Sequence, residues 1–173
     1  MDEKLKGILQ VVITVILVIL IFQFANQLEQ FKSYGYAGVF IISLISSASL
    51  FFPAPGWAVV IAMARFSDPI LLGLSAGIGS ALGEITGYIA GQGASKAIHM
   101  NSHFIKIKEW IRKNDSIALF LLAAIPNPLF DIAGIAAGSL GIPLWRFFVI
   151  VGAGRILRYT LLGYLGLFSV NYF

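Results

Sequence analysis

The sequence predicts an all-α integral membrane protein: an N-terminal transmembrane helix, then an inverted repeat of two opposed re-entrant helical hairpins, each followed by a transmembrane helix. Three observations carry this expectation. The 173 residues are 58% hydrophobic and only 12% charged, with a mean hydropathy of +0.89, whereas a soluble domain carries about a quarter charged residues. Residues 7–28 and 33–64 contain no charged side chain, and uncharged apolar stretches of about 18 or more read as membrane spans. Two Pro-x-Pro sequences, Pro53-Ala54-Pro55 and Pro126-Asn127-Pro128, interrupt apolar runs, and each precedes a further proline, Pro69 or Pro143, at nearly the same distance.

Residues 1–33 form the first unit, a transmembrane helix over 8–25 and a short polar connector. Its apolar run outlasts the roughly 7–15 residues of a signal-peptide core and lacks a small-residue cleavage site, so an uncleaved span is expected. A membrane domain over 34–168 follows. Its first hairpin, 34–66, is too long for one crossing and too short for two of about 20 residues each. Pro53, Pro55 and Gly56 break it in mid-layer, because proline removes an N–H and disfavours helix at the residue before it. Arms of that length reach only about half of the bilayer, so the chain enters and leaves by one face.

Asp68-Pro69 marks a turn into a full span over 70–95. Glycines at 73 and 77, then Gly83, Gly87 and Gly91, recur every four residues, as on a helix face where backbones approach closely; Gly134 and Gly138 repeat the spacing later. Residues 96–115 carry five basic side chains, with Phe104, Ile107, Trp110 and Ile111 to one side, the pattern of an amphipathic helix lying on the membrane. A second hairpin, 116–142, has its tip at Pro126-Asn127-Pro128. A last span, 144–168, leads to a tail over 169–173. One full span separates the hairpins, so they enter from opposite faces, the plan by which transporters place a site at the midplane.

Basic residues set the orientation. With 96–115 inside, Lys4, Lys6, Lys96, Lys106, Lys108, Arg112, Lys113 and Arg146 are cytoplasmic, against Lys32 and Arg65 outside, in keeping with the positive-inside rule. The expected location is a prokaryotic plasma membrane with the N-terminus cytoplasmic. The net charge of +4 belongs to loops, and no basic soluble domain exists to hold nucleic acid. The absence of cysteine excludes disulfides and thiolate chemistry.

Few ionisable residues fall at membrane depth: Glu84, Asp131, Arg155 and Arg158. Placing a charge there costs about 2.5–3.5 kcal/mol on insertion scales, so such groups face a partner or a watery path. Asn127 at the second tip both donates and accepts hydrogen bonds, and Pro126 and Pro128 free backbone carbonyls beside it. Ser43, Ser46, Ser47 and Ser49 make the first arm polar on one side. His99 and His103 are spaced i, i+4 but lack an acidic or cysteine co-ligand, so no metal site is expected. No phosphate-binding loop or nucleophile–base pair is recognisable, and neither a cofactor nor an enzymatic activity is expected.

The sequence IPNPLFD at residues 125–131, with Ala133-Gly134-Ile135 and then Gly138, Pro143, Trp145 and Phe147, resembles the VTT domain. This is the DedA superfamily, also called SNARE-associated Golgi proteins, and the IPNPLFD form is most similar to the vacuole membrane protein branch of lipid scramblases. The resemblance spans residues 34–168. It implies two opposed re-entrant hairpins and movement of phospholipids or polyprenyl-phosphate carriers between leaflets. The bacterial branch places an acidic residue after the first proline turn and arginines flanking the second proline. Here Trp57, Ala123 and Leu129 stand at those places, and Arg155 and Arg158 are the remaining source of positive charge.

The expected function is therefore transport of membrane phospholipids along a polar path. Glu84, Pro126, Asn127, Pro128 and Asp131 would meet the head group, and Arg155 and Arg158 its phosphate. Two rivals stand beside it: a proton- or sodium-coupled transporter of polyprenyl phosphate or a small solute, and a non-transporting scaffold with every charge paired. The sequence does not set the oligomeric state, and a homo-oligomer is compatible with it.

Overall fold

The computed structural model describes residues 12, 15, 16, 19, 20, 23, 35–48, 56–93, 102–126 and 130–172, and no strand occurs among them. The six described before residue 24 are helical and exposed; the rest of the expected first span and its connector lie outside the described residues. Eight helices follow among the described residues: α1 (Gly35–Ala48), α2 (Gly56–Met63), α3 (Pro69–Gly83), α4 (Ile85–Gly93), α5 (Ser102–Lys113), α6 (Asp115–Ala124), α7 (Phe130–Ser139) and α8 (Leu144–Tyr172). Among the described residues, two stretches are long and apolar enough to cross a membrane, Pro69–Gly93, which is α3 and α4 joined at Glu84, and Leu144–Ser169 within α8.

Local chemistry fixes the starts and stops. Asp68 caps α3, its carboxylate accepting from the amides of Ile70 at 2.8 Å and Leu71 at 3.1 Å, with Pro69 at the first helical position, where its missing N–H costs nothing. The α7–α8 turn bends at Gly141, whose φ of 69° is a conformation that side chains with a Cβ adopt at a cost. Pro143 then opens α8.

Backbone contacts give the helix directions. Gly79 of α3 lies against the Phe40 carbonyl and Gly83 against that of Leu44, so α1 runs beside α3 in the same direction. Gly73 faces Thr160 and Gly77 faces Ile156, so the two long stretches are antiparallel. Gly154 abuts Phe120 and Ala123, and Asp115 pairs with Arg146 at 2.9 Å, which sets α6 parallel to α8. Gly134 lies by Glu84 and Gly138 by Tyr88, so α7 follows α4. Ile61 of α2 packs on Gly166 of α8. In each short pair, α1–α2 and α6–α7, the first helix therefore runs along the long stretch that follows it, and the second lies along the other one.

Two apolar clusters result. Val39, Val60, Leu72, Ala76 and Tyr159 centre one, and Ile111, Leu119, Phe130, Phe147 and Val151 the other. Between the helices, glycines such as Gly79, Gly83, Gly91 and Gly138 let backbones touch. The outer surface is oily: Ile45, Ile89, Val149, Leu165 and Phe168 are all more than half exposed. Contiguous exposed apolar side chains around a polar-centred interior are what lipid, not water, would solvate.

Several expectations change. The glycines of the 70–95 stretch do not line one face: Gly73 and Gly77 meet α8, Gly83 meets α1, Gly91 meets Ile135 of α7, and a Cβ on Gly87 would meet nothing within 4 Å. The α3–α4 helix is enclosed from three sides, so its small residues serve three seams. In α5, Phe104, Ile107 and Ile111 are buried against protein while Trp110 is 40% exposed. The apolar face of that helix is thus covered by protein, and Trp110 stands apart from it. Residues 169–172 continue α8, since no breaker follows Gly166 and the Ser169 hydroxyl bonds back to the Leu165 carbonyl at 2.8 Å.

Candidate functional site

The polar centre of the molecule lies where the free ends of the short helices meet the long ones. Glu84 sits at the α3–α4 joint and is 3% exposed; Arg155 of α8 is 6% exposed. Arg155 Nη2 donates to Glu84 Oε1 in a buried ion pair. The helical side chains lean toward their own N-termini, and in antiparallel helices that brings them together from different levels. The second Glu84 oxygen faces Gly134 of α7, where a Cβ would stand 3.8 Å away. On its other side the guanidinium lies 4.3 Å above the Phe130 ring, the first residue of α7, a cation–π contact of about 2 kcal/mol when desolvated.

The ends of both short pairs converge on this pair. Thr86, two residues past Glu84, donates its hydroxyl to the Ala48 carbonyl at the end of α1 at 3.1 Å. Gly154, beside Arg155, packs on Ala123 near the end of α6. Ser47 and Ser80 share a hydrogen bond of 2.6 Å. The Ser43 hydroxyl is buried with no hydrogen-bond partner and points toward Gly56, the first residue of α2.

Arg155 and Arg158 each keep a buried Nε without an acceptor. Arg158 is half-buried and, among the described residues, makes no ion pair; the ring of Tyr159 stands 5.9 Å from it. The structure thus brings Glu84, Arg155, Arg158 and Gly134 together. Pro126 is exposed at the end of α6, and Gly56 opens α2. Pro53, Pro55, Asn127 and Pro128 lie outside the described residues, and of Asp131 only the backbone, in α7, is described. Sequence reasoning missed Phe130 as the floor under Arg155, and Tyr88, whose hydroxyl donates to the Ile142 carbonyl and whose ring packs 5.1 Å from Phe147. Neither residue type at either spacing signals such a role.

Residues 52–168 match the VTT domain. The chain belongs to the VTT-domain family. The matched range contains Glu84, Phe130, Arg155 and Arg158 and begins after α1. Among VTT-domain relatives, vacuole membrane protein KMS1 of Arabidopsis thaliana is 32% identical over 106 residues, 49% of this chain and 26% of that protein. KMS2 of the same plant is 32% identical over 103 residues, 49% of this chain and 25% of that protein. Human vacuole membrane protein 1 is 39% identical over 44 residues, 25% of this chain and 11% of that protein. The chain therefore spans about a quarter of the plant relatives' length. No solved structure matches it. The family and the oily exterior make this a membrane protein; the relatives do not carry the prokaryotic plasma membrane in particular.

Proposed function

We propose that the chain moves phospholipids between leaflets, with α1–α2 and α6–α7 as opposed re-entrant hairpins whose tips meet the head group in mid-membrane. At 14, 8, 10 and 10 residues, these helices reach about 12–21 Å at 1.5 Å per residue, short of the ~30 Å hydrocarbon layer. The parallel course of α1 with α3 and of α6 with α8, beside antiparallel long stretches, supports hairpins entering from opposite sides. With basic α5 at the cytoplasmic face, the first hairpin opens outward and the second inward.

The observation that carries the reading is the pair of buried, acceptor-less guanidinium Nε donors at Arg155 and Arg158. Glu84 engages Arg155 through Nη2, which leaves donors beside it for a phosphate. A head group is as costly in hydrocarbon as a buried charge; at this junction it meets fixed donors instead of lipid tails. The acyl chains remain in the bilayer.

Reconstituted liposomes with fluorescent lipids of different head groups test this. Arg158→Lys keeps the charge but loses the guanidinium fork. It should slow every phospholipid on the order of tenfold, the loss of one charge-assisted hydrogen bond of about 1.5 kcal/mol. Equal rates for Arg158→Lys and the unaltered protein overturn the phosphate contact. Polyprenyl phosphate presents the same group and belongs in the panel, and imposed proton or sodium gradients separate coupled from downhill movement.

The buried ion pair of Glu84 and Arg155 favours a second reading, a scaffold in which the pair only joins α4 to α8. In that case unaltered protein in liposomes moves no lipid.

A further inference from the structure

Beyond the central junction, the basic helix α5 carries a groove of its own. Ile105, Lys108, Glu109 and Arg112 line it, and Leu140, at the end of α7, forms the opposite wall, enclosing about 220 Å³. The four α5 residues are spaced i, i+3, i+4 and i+7, a single stripe of the helix. That stripe lies next to the one that anchors the helix, Phe104, Ile107 and Ile111, all buried. Packing of the anchor stripe therefore fixes where the groove stripe points. Lys108 is held further: its ammonium stands 5.8 Å above the Phe104 ring, so its stem crosses the helix surface and does not trail into solvent.

The lining is mostly hydrocarbon, with two cationic side chains contributing to it. Lys108 and Arg112 present two cations one helical turn apart, and Ile105 and Leu140 present bare hydrocarbon. Glu109, exposed and also in the lining, offers a hydrogen-bond acceptor. The volume suits a glycerol-phosphate group, since a water molecule takes about 30 Å³. The surroundings are interfacial: Trp110 is 40% and Trp145 70% exposed, and tryptophan collects at the head-group level of a membrane. Nearby, Arg146 pairs with Asp115 where α6 and α8 begin.

We infer that this groove binds one anionic glycerophospholipid, held as a resident lipid apart from the central path. The phosphodiester lies between Lys108 and Arg112. A head-group hydroxyl donates to Glu109, and the first part of an acyl chain covers Ile105 and Leu140. Phosphatidylglycerol meets all three requirements; phosphatidylcholine lacks both the net charge and the donor.

Native mass spectrometry of the full chain, released from detergent micelles containing phosphatidylglycerol or phosphatidylcholine, tests the inference without any transport readout. One phosphatidylglycerol should remain bound at detergent concentrations that strip phosphatidylcholine. Lys108→Gln with Arg112→Gln should weaken retention at least tenfold. Lys106→Gln with Lys113→Gln removes the same charge from α5 outside the groove and should leave retention within about twofold. Equal losses in the two double variants would mean diffuse attraction to a basic helix and would overturn the site. So would equal retention of the two lipids, or displacement of the bound lipid by millimolar inorganic phosphate alone, which would reduce the groove to an anion site with no lipid component. All four substituted side chains are at least partly exposed, and an unchanged melting temperature establishes that the variants fold. Loss of lipid movement with retained binding, or the reverse, separates failure of the transport reading from failure of this one.

Discussion

At the scale of single residues, the decisive feature is the buried ion pair of Glu84 and Arg155, with the half-buried Arg158 one helical turn along α8. Removing one partner of a buried pair leaves an uncompensated charge, which costs about 3–5 kcal/mol. Arg155→Ala should therefore lower stability in detergent by that order, read by thermal or denaturant unfolding. The paired change Glu84→Leu with Arg155→Met should recover most of the loss, because well-packed apolar residues replace a buried pair at little cost. A double variant no more stable than Arg155→Ala would show that other groups depend on the pair. The hydrogen bond itself was not written in the sequence. Glu84 and Arg155 stood out as charges in apolar runs, but helix direction and side-chain lean bring them together.

At the scale of helices, the fold rests on glycine at the points where backbones touch, and the glycines are not equivalent. A Cβ on Gly138 would press into the Tyr88 carbonyl, and one on Gly91 into that of Ile135. Either Gly→Ala change should separate α7 from α4 and cost about 1–3 kcal/mol, as overpacking does. Gly87→Ala meets open space, and alanine favours helix over glycine by about 1 kcal/mol; its melting temperature should hold or rise. A fall for Gly87→Ala as large as that for Gly138→Ala would contradict this seam assignment. The four-residue spacing in the sequence marks close packing but not which neighbour each glycine meets. The starts of the long helices are chemically tied as well. Tyr36 of α1 accepts from the Asp68 amide at 3.0 Å, and Asp115 of α6 pairs with Arg146 of α8. Each tie joins the start of a short helix to the start of the long one it follows.

At the scale of the whole molecule, antiparallel long helices and parallel first arms give a topology open to direct test. The chain has no native cysteine, so single introduced thiols report access cleanly. Asn26→Cys and Asn171→Cys should react with an impermeant maleimide from outside, and Ser102→Cys and Asn114→Cys only from the cytoplasmic side. Labelling of Asn26→Cys and Ser102→Cys from the same side would remove the opposed-hairpin reading, because α5 must lie one crossing away from the connector. The same arrangement accounts for an oily exterior around a polar centre.

Composition and pattern by themselves determined the membrane class, the helical content and the spans that open at Pro69 and after Pro143, while the proline tips of the two hairpins lie largely outside the described residues. These depend on local chemistry: charge-free length, proline's missing donor and the Asp68-Pro69 turn. The IPNPLFD sequence also made the VTT-domain family legible. Tertiary structure alone decided which charges pair, that Phe130 underlies Arg155, that the apolar side of α5 faces protein, and that the glycines serve three different neighbours. Those outcomes depend on the relative direction and depth of helices far apart in the chain, which no local spacing encodes. A side chain's partner in a membrane bundle is set by which backbones can approach, and that is a property of the assembled helices.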